Sequence, residues 1–491
     1  MSLDPNTPVL VGVGVIQQRC ENPLQAKEAI ALMIAAAERA AADAGSRVLL
    51  SRADCIQIPQ GLWKYSDPAR LLGRAIGADQ AKTVLADFGI LQQSLMTHAC
   101  EAIQGGSQKI AIVAGGEAKY RSLCAGKQGV ELTDTEQIDE QPDTYLKPAA
   151  ELMSDIELAH GLLMPVEFYA FMENAMRYAD GHSITQHRDE LAALYARFSH
   201  IAAANPDAWQ QQTYSAAEIR DPGPQNRMLA FPYTKLMNTQ WNVDQACALL
   251  FCSVSVAKEL NIARDKWVFP LSSAESEHMT IMSERAELQR SPGAALAGEK
   301  ALQLAHATVE DLNFLELYSC FPAAVKVYAR ELGIVLDKDL VVTGSMAFAG
   351  GPLNNFVLQS TAKMADTLRR HPGAKGMVTS VSGLLTKQAF ALWSSEANAD
   401  GFQCADVSTA AAESTKLLPL LESYSGPASI ASYTVKYDAG QPSTLIAVCN
   451  TADGKRALAS SKDANLAHEA TEREFCGRAV SIDKDANLQL I

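Results

Sequence analysis

The residues of this chain that could do chemistry are few, and they gather in glycine-rich turns that follow apolar runs. Gly115-Gly116-Glu117, Gly350-Gly351-Pro352-Leu353 and Ser382-Gly383 are such turns, and Leu315-Glu-Leu-Tyr-Ser-Cys-Phe-Pro322 stands beside them. Glycine at such a turn lets the backbone approach a ligand closely and exposes amide N–H groups as donors. Other signatures fail. Gly12-Val13-Gly14 follows a strand-like run, but Gln17 stands where a dinucleotide fingerprint needs its third glycine. No Gly-Lys-Ser phosphate loop, Gly-x-Ser-x-Gly elbow or His-Glu-x-x-His occurs. The nine histidines are dispersed, and His182 and His187, five apart, are poorly spaced for two metal ligands on one helix face. Ten cysteines include no Cys-x-x-Cys pair, so neither a disulfide framework nor a zinc site is indicated, and no metal ligands are assigned.

Composition narrows the classes. Apolar residues make up 48% of the 491 and charged residues 20%, the profile of a folded globular chain. Forty-two Lys and Arg against 56 Asp and Glu leave a net charge of −14, which argues against nucleic acid and anionic membranes as partners. An anionic small molecule would need a local basic cluster, for which Lys64, Arg70, Arg74 and Arg227 are candidates. No apolar run approaches the about 20 residues of a membrane span. Met1 to Pro8 shows no charged-then-apolar signal pattern, so a soluble, cytoplasmic protein is expected.

Elements that must position these turns follow from pattern. Val9–Val15 reads as a buried strand, Pro23 to Gly45 as an Ala-rich helix, and Asp67-Pro68 as a cap and first turn of a helix ending near Gly77. Lys82–Gly89 reads as a strand, Gln92–Gln104 as a helix and Lys109–Ala114 as a strand, a rhythm that implies a parallel sheet flanked by helices. Residues 121–240 break the rhythm with acidic, Pro-containing stretches and read as an insertion over the sheet. Alternation then resumes: Asn313–Leu317, Ala323–Leu332, Asn354–Arg370 and Gly376–Val381 echo the first part. The tail reads as β structure, with Ile430–Tyr437, Thr444–Cys449 and an Asp453-Gly454 hairpin signal. Four segments result: 1–120 and 241–400 as two α/β halves, 121–240 as the insertion, and 401–491 as a β-rich domain.

The order and context of the glycine turns resemble the thiolase superfamily over residues 8 to about 395. Gly105–Glu117 is similar to the segment after the thiolase nucleophile helix. Leu315–Phe321 resembles the Glu-Val-His-Asp-Cys-Phe motif of sterol-carrier-protein thiolases, Gly350–Leu353 the Gly-His-Pro-Leu motif, and Met377–Gly383 the strand carrying Cys-x-Gly. A narrower resemblance rests on Tyr318-Ser-Cys-Phe-Pro322, Ala349-Gly-Gly-Pro-Leu-Asn-Asn355, Thr386-Lys387 and the β tail. These resemble thiolase-like proteins of type one, often filed as acetyl-CoA acetyltransferases. The resemblance implies duplicated α/β/α/β/α layers, a loop-domain insertion and an additional C-terminal domain like an oligonucleotide-binding barrel. It also leaves monomer and homodimer both open.

Thiolase chemistry needs a thiolate nucleophile, a second base and oxyanion donors. Carried onto this chain, the nucleophile position falls on Gly89, the Gly-His-Pro histidine on Gly351 and the Cys-x-Gly cysteine on Val381. Tyr318 and Ser319 replace His and Asp, and only Cys320 persists, as the one candidate acid/base. Losing a nucleophile costs roughly 10⁶ in rate and an oxyanion donor roughly 10²–10³. The expectation is a cleft that binds CoA or an acyl-CoA without Claisen or thiolytic chemistry and without a bound cofactor. Gly89, Gln92, Tyr318, Ser319, Gly351, Asn354 and Gly383 would contact the ligand. The alternative is an acyltransferase or thioesterase of altered mechanism using Cys320.

Overall fold

Strands buried on both faces read as continuous apolar runs, and Val9–Val15 belongs to one: Pro8–Gln17 is buried along nearly its whole length. The computed structural model describes residues 3–491. Met1 and Ser2, the start of the segment read above for a signal pattern, lie outside the described residues.

Two sheets form the body. The first runs, edge to edge, Pro8–Gln17, Asp244–Ser253, Ile110–Ala118, Cys55–Pro59, Lys82–Ala86 and Thr144–Leu146. The second runs Leu312–Glu316, Lys375–Ser382, Lys387–Ser394, Phe269–Ser276 and Gln403–Asp406. Pro8–Gln17 and Phe269–Ser276 pair antiparallel with Asp244–Ser253 and Lys387–Ser394, which pair antiparallel in turn with Ile110–Ala118 and Lys375–Ser382, so the same winding occurs twice. The strand Asp244–Ser253 follows the insertion in sequence yet lies inside the first sheet, pairing antiparallel with both Pro8–Gln17 and Ile110–Ala118. The first half therefore continues past the expected boundary at residue 240 and closes only with this strand.

Local rules set several ends. Asp67 caps its helix by accepting the Arg70 N–H, Pro68 takes the first turn, and Gly77 closes it in the left-handed region. Gly45 closes the helix Ala29–Ala44 in the same way. Pro23 does not open that helix as expected; its first turn begins six residues later, after a turn in which Gln25 and Ala26 donate to the Asn22 carbonyl. The Gly115-Gly116-Glu117 turn is also corrected, since all three residues continue the strand Ile110–Ala118. A Cβ on Gly115 would stand 2.6 Å from Asn355 Oδ1, and one on Gly116 2.7 Å from the Ala246 Cβ. Close approach, not chain reversal, requires these glycines.

The tail is not purely β. Its strands Arg456–Ser461, Gln441–Thr451, Gly426–Asp438, Ala479–Ile482 and Leu488–Leu490 form a sheet, and a helix Ala464–Glu472 capped by Asp463 lies among them. Ser460 N donates to Ala486 O at 3.0 Å, drawing the outer strands together so that the sheet curls into a small barrel. The insertion holds the tail in place. Asn174, on the helix Pro165–Ala179, donates to the carbonyls of Phe231 (3.2 Å) and Tyr433 (2.9 Å), and Arg177 pairs with Glu474. Met228 and Phe231 of the insertion share a buried cluster with Ile430, Tyr433, Val435 and Phe475. Among the described residues no helix is long and apolar enough to cross a membrane.

Candidate functional site

Two helices, Gln92–Gln104 and Phe356–Arg370, run between the two sheets, one from each half, and both bury most of their residues. Their N-termini meet. Gln92 Oε1 accepts the Val357 N–H at 2.8 Å, and its Nε2 donates to Asn354 Oδ1 at 3.3 Å. Asn355, the residue before the second helix, makes no capping bond of its own, so Gln92 supplies the cap from the other half. Tyr318 approaches the same point: its ring meets Phe356 edge-on at 6.1 Å, and its N–H donates to Thr379 Oγ1. Three residues named from sequence, Gln92, Asn354 and Tyr318, thus lie near one another.

Buried polar atoms without a partner in the protein lie at this junction. They are Asn354 Nδ2 and both side-chain polar atoms of Asn355, and Gln245 Oε1, beside Gly350, is another. Each such atom costs about 1–3 kcal/mol when left unsatisfied, so a group of them indicates water or a ligand.

Ser319, Cys320 and Gly351 form a second group, joined through the segment Asn238–Gln240. Thr239 donates from both N and Oγ1 to the Cys320 carbonyl, at 3.1 and 2.8 Å. Gly351 N donates to Gln240 O at 2.9 Å, and a Cβ on Gly351 would lie 2.3 Å from Thr239 Cγ2. Ser319 Oγ accepts the Met346 N–H at 3.0 Å. Gly350 has φ +96°, and a Cβ there would strike Gln245 Oε1 at 2.2 Å. The glycine pair is thus required by both backbone conformation and packing.

The Cys320 thiol is buried and faces Tyr169, whose ring stacks on Phe321 at 4.5 Å. Burial, with the Tyr169 contact opposing it, pushes this thiol up to about 12. At neutral pH it is a thiol, and only the thiolate is an effective nucleophile. Burial also raises two carboxyls to about 7: Glu316, in the same motif, and Glu117. Glu117 is 4% exposed and accepts one N–H, from Leu62 at 2.8 Å.

Gly89 and Gly383 lie apart from these groups but are linked to each other. Lys387 donates to the Gly89 carbonyl at 2.5 Å, pairs with Glu277, and is nearly fully buried in the strand that follows the Gly383 turn. Pro148 of the insertion covers Gly89, 3.1 Å from where its Cβ would stand. Lys387 was noted in the sequence only as part of a resemblance; no local signal announced its contact with Gly89.

A groove of about 1290 Å³ opens on the other side of Thr239. Trp209, Tyr214, Trp241, Arg19, Arg227 and Lys235 line it, with Thr239, Gln240 and Ala347 at its floor. Arg19 lies over the Trp209 ring at 4.5 Å and Lys119 over Trp241 at 5.2 Å. Glu218 and Asp221 also line the groove, but Ser215 and Arg220 engage them. Of the basic residues considered from sequence, Arg227 reaches this groove, whereas Arg70 pairs with Asp143 at 3.0 Å and Arg74 with Glu140 at 2.8 Å. The aromatic lining was missed from sequence, because Trp209 and Trp241 are 32 residues apart and share no motif.

With this geometry in place, comparison with known proteins is informative. Residues 411–487 match the family model described as "Thiolase-like protein type 1 additional C-terminal domain". A monomeric SCP2-thiolase-like protein type 1 from Mycobacterium smegmatis superposes over 100% of both chains, with a TM-score of 0.83 and 26% identity. Human mitochondrial 3-ketoacyl-CoA thiolase, solved in complex with CoA, superposes on 79% of this chain and 98% of its own, with a TM-score of 0.56 and 17% identity. An acetyl-CoA acetyltransferase from Methanothermobacter thermautotrophicus is 23% identical over 247 residues, 46% of this chain and 61% of that relative. The chain thus spans less than two thirds of the curated relative. The chain therefore has the thiolase fold, and its residues 411–487 form the additional C-terminal domain of type 1 thiolase-like proteins.

Proposed function

We propose that the groove beside Thr239 binds CoA or an acyl-CoA thioester, and that the chain does not carry out thiolytic or Claisen chemistry on it. The observation that carries the first part is the lining: the exposed cations Arg19, Arg227 and Lys235 suit phosphates, and the exposed Trp241 ring suits a purine. The relative solved with CoA supports the ligand class. For the second part, the position that resembles the thiolase nucleophile is Gly89, which offers no side chain and whose carbonyl is engaged by Lys387. Gly351 offers no imidazole, and the Cys320 thiol is held protonated by burial. Gln92, Asn354, Tyr318 and Ser319 do not line this groove and in this reading hold the surrounding segments together, and Gly383 shapes the turn that positions Lys387. The monomeric relative supports a chain that works as one copy.

The test is calorimetric titration with CoA and short acyl-CoAs, paired with release of free thiol over time. Binding that weakens in Arg227→Ala and Trp209→Ala, without thiol release, supports this reading. Thiol release abolished by Cys320→Ala would instead establish an altered acyltransferase or thioesterase. No heat at millimolar acyl-CoA would remove the ligand from both.

A further inference from the structure

The insertion holds a cluster of metal-ligating side chains remote from that groove. His182 lies just before the N-cap of the helix Ile184–Ala203, where Ser183 accepts the Gln186 N–H. His187 and Glu190 follow three residues apart on that helix, one turn in, and so share a face. The five-residue step that argues against shared ligation on a single helix does not apply, because His182 is not on the helix. The chain turns back at Gly181, and the His182 N–H is fixed by the Arg177 carbonyl at 3.1 Å. The two imidazoles stand 6.3 Å apart, centroid to centroid, and His182 Nδ1 lies 3.1 Å from Glu190 Oε2. One donor atom from each of the three side chains falls within 4.8 Å of the others.

The tautomer of His187 is set from behind. Its side chain is fully buried, and its Nε2 lies 2.8 Å from Glu173 Oε1. Lys326 at 3.0 Å and the Tyr233 hydroxyl at 2.8 Å also reach the Glu173 carboxylate. A carboxylate paired with the Lys326 ammonium accepts rather than donates. The His187 proton therefore sits on Nε2, and Nδ1 carries a bare lone pair. That Nδ1 is buried with no hydrogen-bond partner, and His182 Nδ1 has Glu190 Oε2 beside it. A carboxylate behind a histidine, leaving the opposite nitrogen free, is the arrangement that orients imidazole toward a metal.

We propose that His182, His187 and Glu190 bind a divalent transition metal of the zinc class, with solvent completing the coordination. Tetrahedral zinc at about 2.0–2.1 Å from nitrogen or oxygen sets donors roughly 3.3–3.4 Å apart. The 3.1 Å pair already meets this, and the His187 donor, within 4.8 Å of the others, closes by up to about 1.4 Å. His182 and Glu190 are 29% and 42% exposed, which gives the ion a path in. The negative charge of Glu190 and Glu173 offsets the ion against nearby Lys326 and Arg177. Bound there, the metal clamps the start of Ile184–Ala203 to the end of Pro165–Ala179, the helix that docks the C-terminal domain through Asn174 and Arg177.

The experiment uses the full chain, stripped with a chelator, and titrates Co²⁺ while recording visible d–d bands, then displaces it with Zn²⁺. One equivalent of Co²⁺ with four-coordinate bands, displaced by Zn²⁺, is expected. His182→Ala and Glu190→Gln each weaken binding by at least about tenfold, with circular dichroism of the apo protein unchanged. Zn²⁺ raises the melting temperature of the parent chain and not of His182→Ala. Both variants change half-exposed side chains, so the test does not depend on altering buried His187. Absence of stoichiometric Co²⁺ bands, or affinity unchanged in both variants, overturns the proposal.

Discussion

Gln92 accepts the main-chain N–H of Val357 at 2.8 Å, across 265 residues of sequence. A side chain at the start of one half's central helix thereby caps the central helix of the other. The two halves are joined there by a neutral amide that uses both its acceptor and its donor.

Gln92→Ala removes that cap. The Val357 N–H is left buried and unpaired, and Asn354 Oδ1 loses its 3.3 Å partner. A loss of about 1–3 kcal/mol in urea unfolding is expected. A loss below a few tenths would mean that water replaces the amide without cost.

Glu117 gives stability a pH dependence of definite sign. Its carboxyl titrates near 7 in the folded chain against 4.5 for the free side chain, so the folded state holds the extra proton between those values. Stability contributed by this group is present at low pH and declines as pH rises from 4.5 through 7. The decline reaches at most roughly 3 kcal/mol. Glu117→Gln, measured beside the parent chain by denaturant titration from pH 5 to 8, is expected to lack this component.

Cys320 is expected to resist alkylation in the folded chain. Cys20, half-buried, and Cys404, exposed, are the accessible comparisons. Peptide mapping after iodoacetamide treatment at about pH 8 should find these two modified before Cys320, as burial suppresses the thiolate. Early modification of Cys320 would show an open, activated thiol.

Lys387→Met tests the link between Gly89 and the strand after Gly383. The substitution keeps the apolar stem and deletes the charge that meets Glu277 and the Gly89 carbonyl. Glu277 is 39% exposed and can be rehydrated, so a moderate loss of about 1–3 kcal/mol is expected. Faster amide exchange confined to residues 87–91 would localise the effect.

Much of the fold was legible because helix and strand ends obey short-range rules. Asp67-Pro68 and Gly77 set both ends of their helix, and Asp453-Gly454 turns the chain between two tail strands, with Gly454 at φ +78°. Where sequence misled, a distant partner decided. Gly115-Gly116 resembles a turn in isolation, but Asn355 and Ala246 press against it within a paired strand. Asp244–Ser253 resembles the start of a second half, yet its ladder partners are residues 8–17 and 110–118.

The residue types at the site, and the lack of a side chain at Gly89 and Gly351, belong to the sequence alone. Tertiary structure decided what those residues meet: Lys387 at Gly89, Thr239 at Gly351, and His182 beside His187 and Glu190. The reason is physical. Caps, turns and apolar periods act over a few residues of chain, whereas a buried donor takes whichever acceptor packing brings within about 3 Å, however remote in sequence.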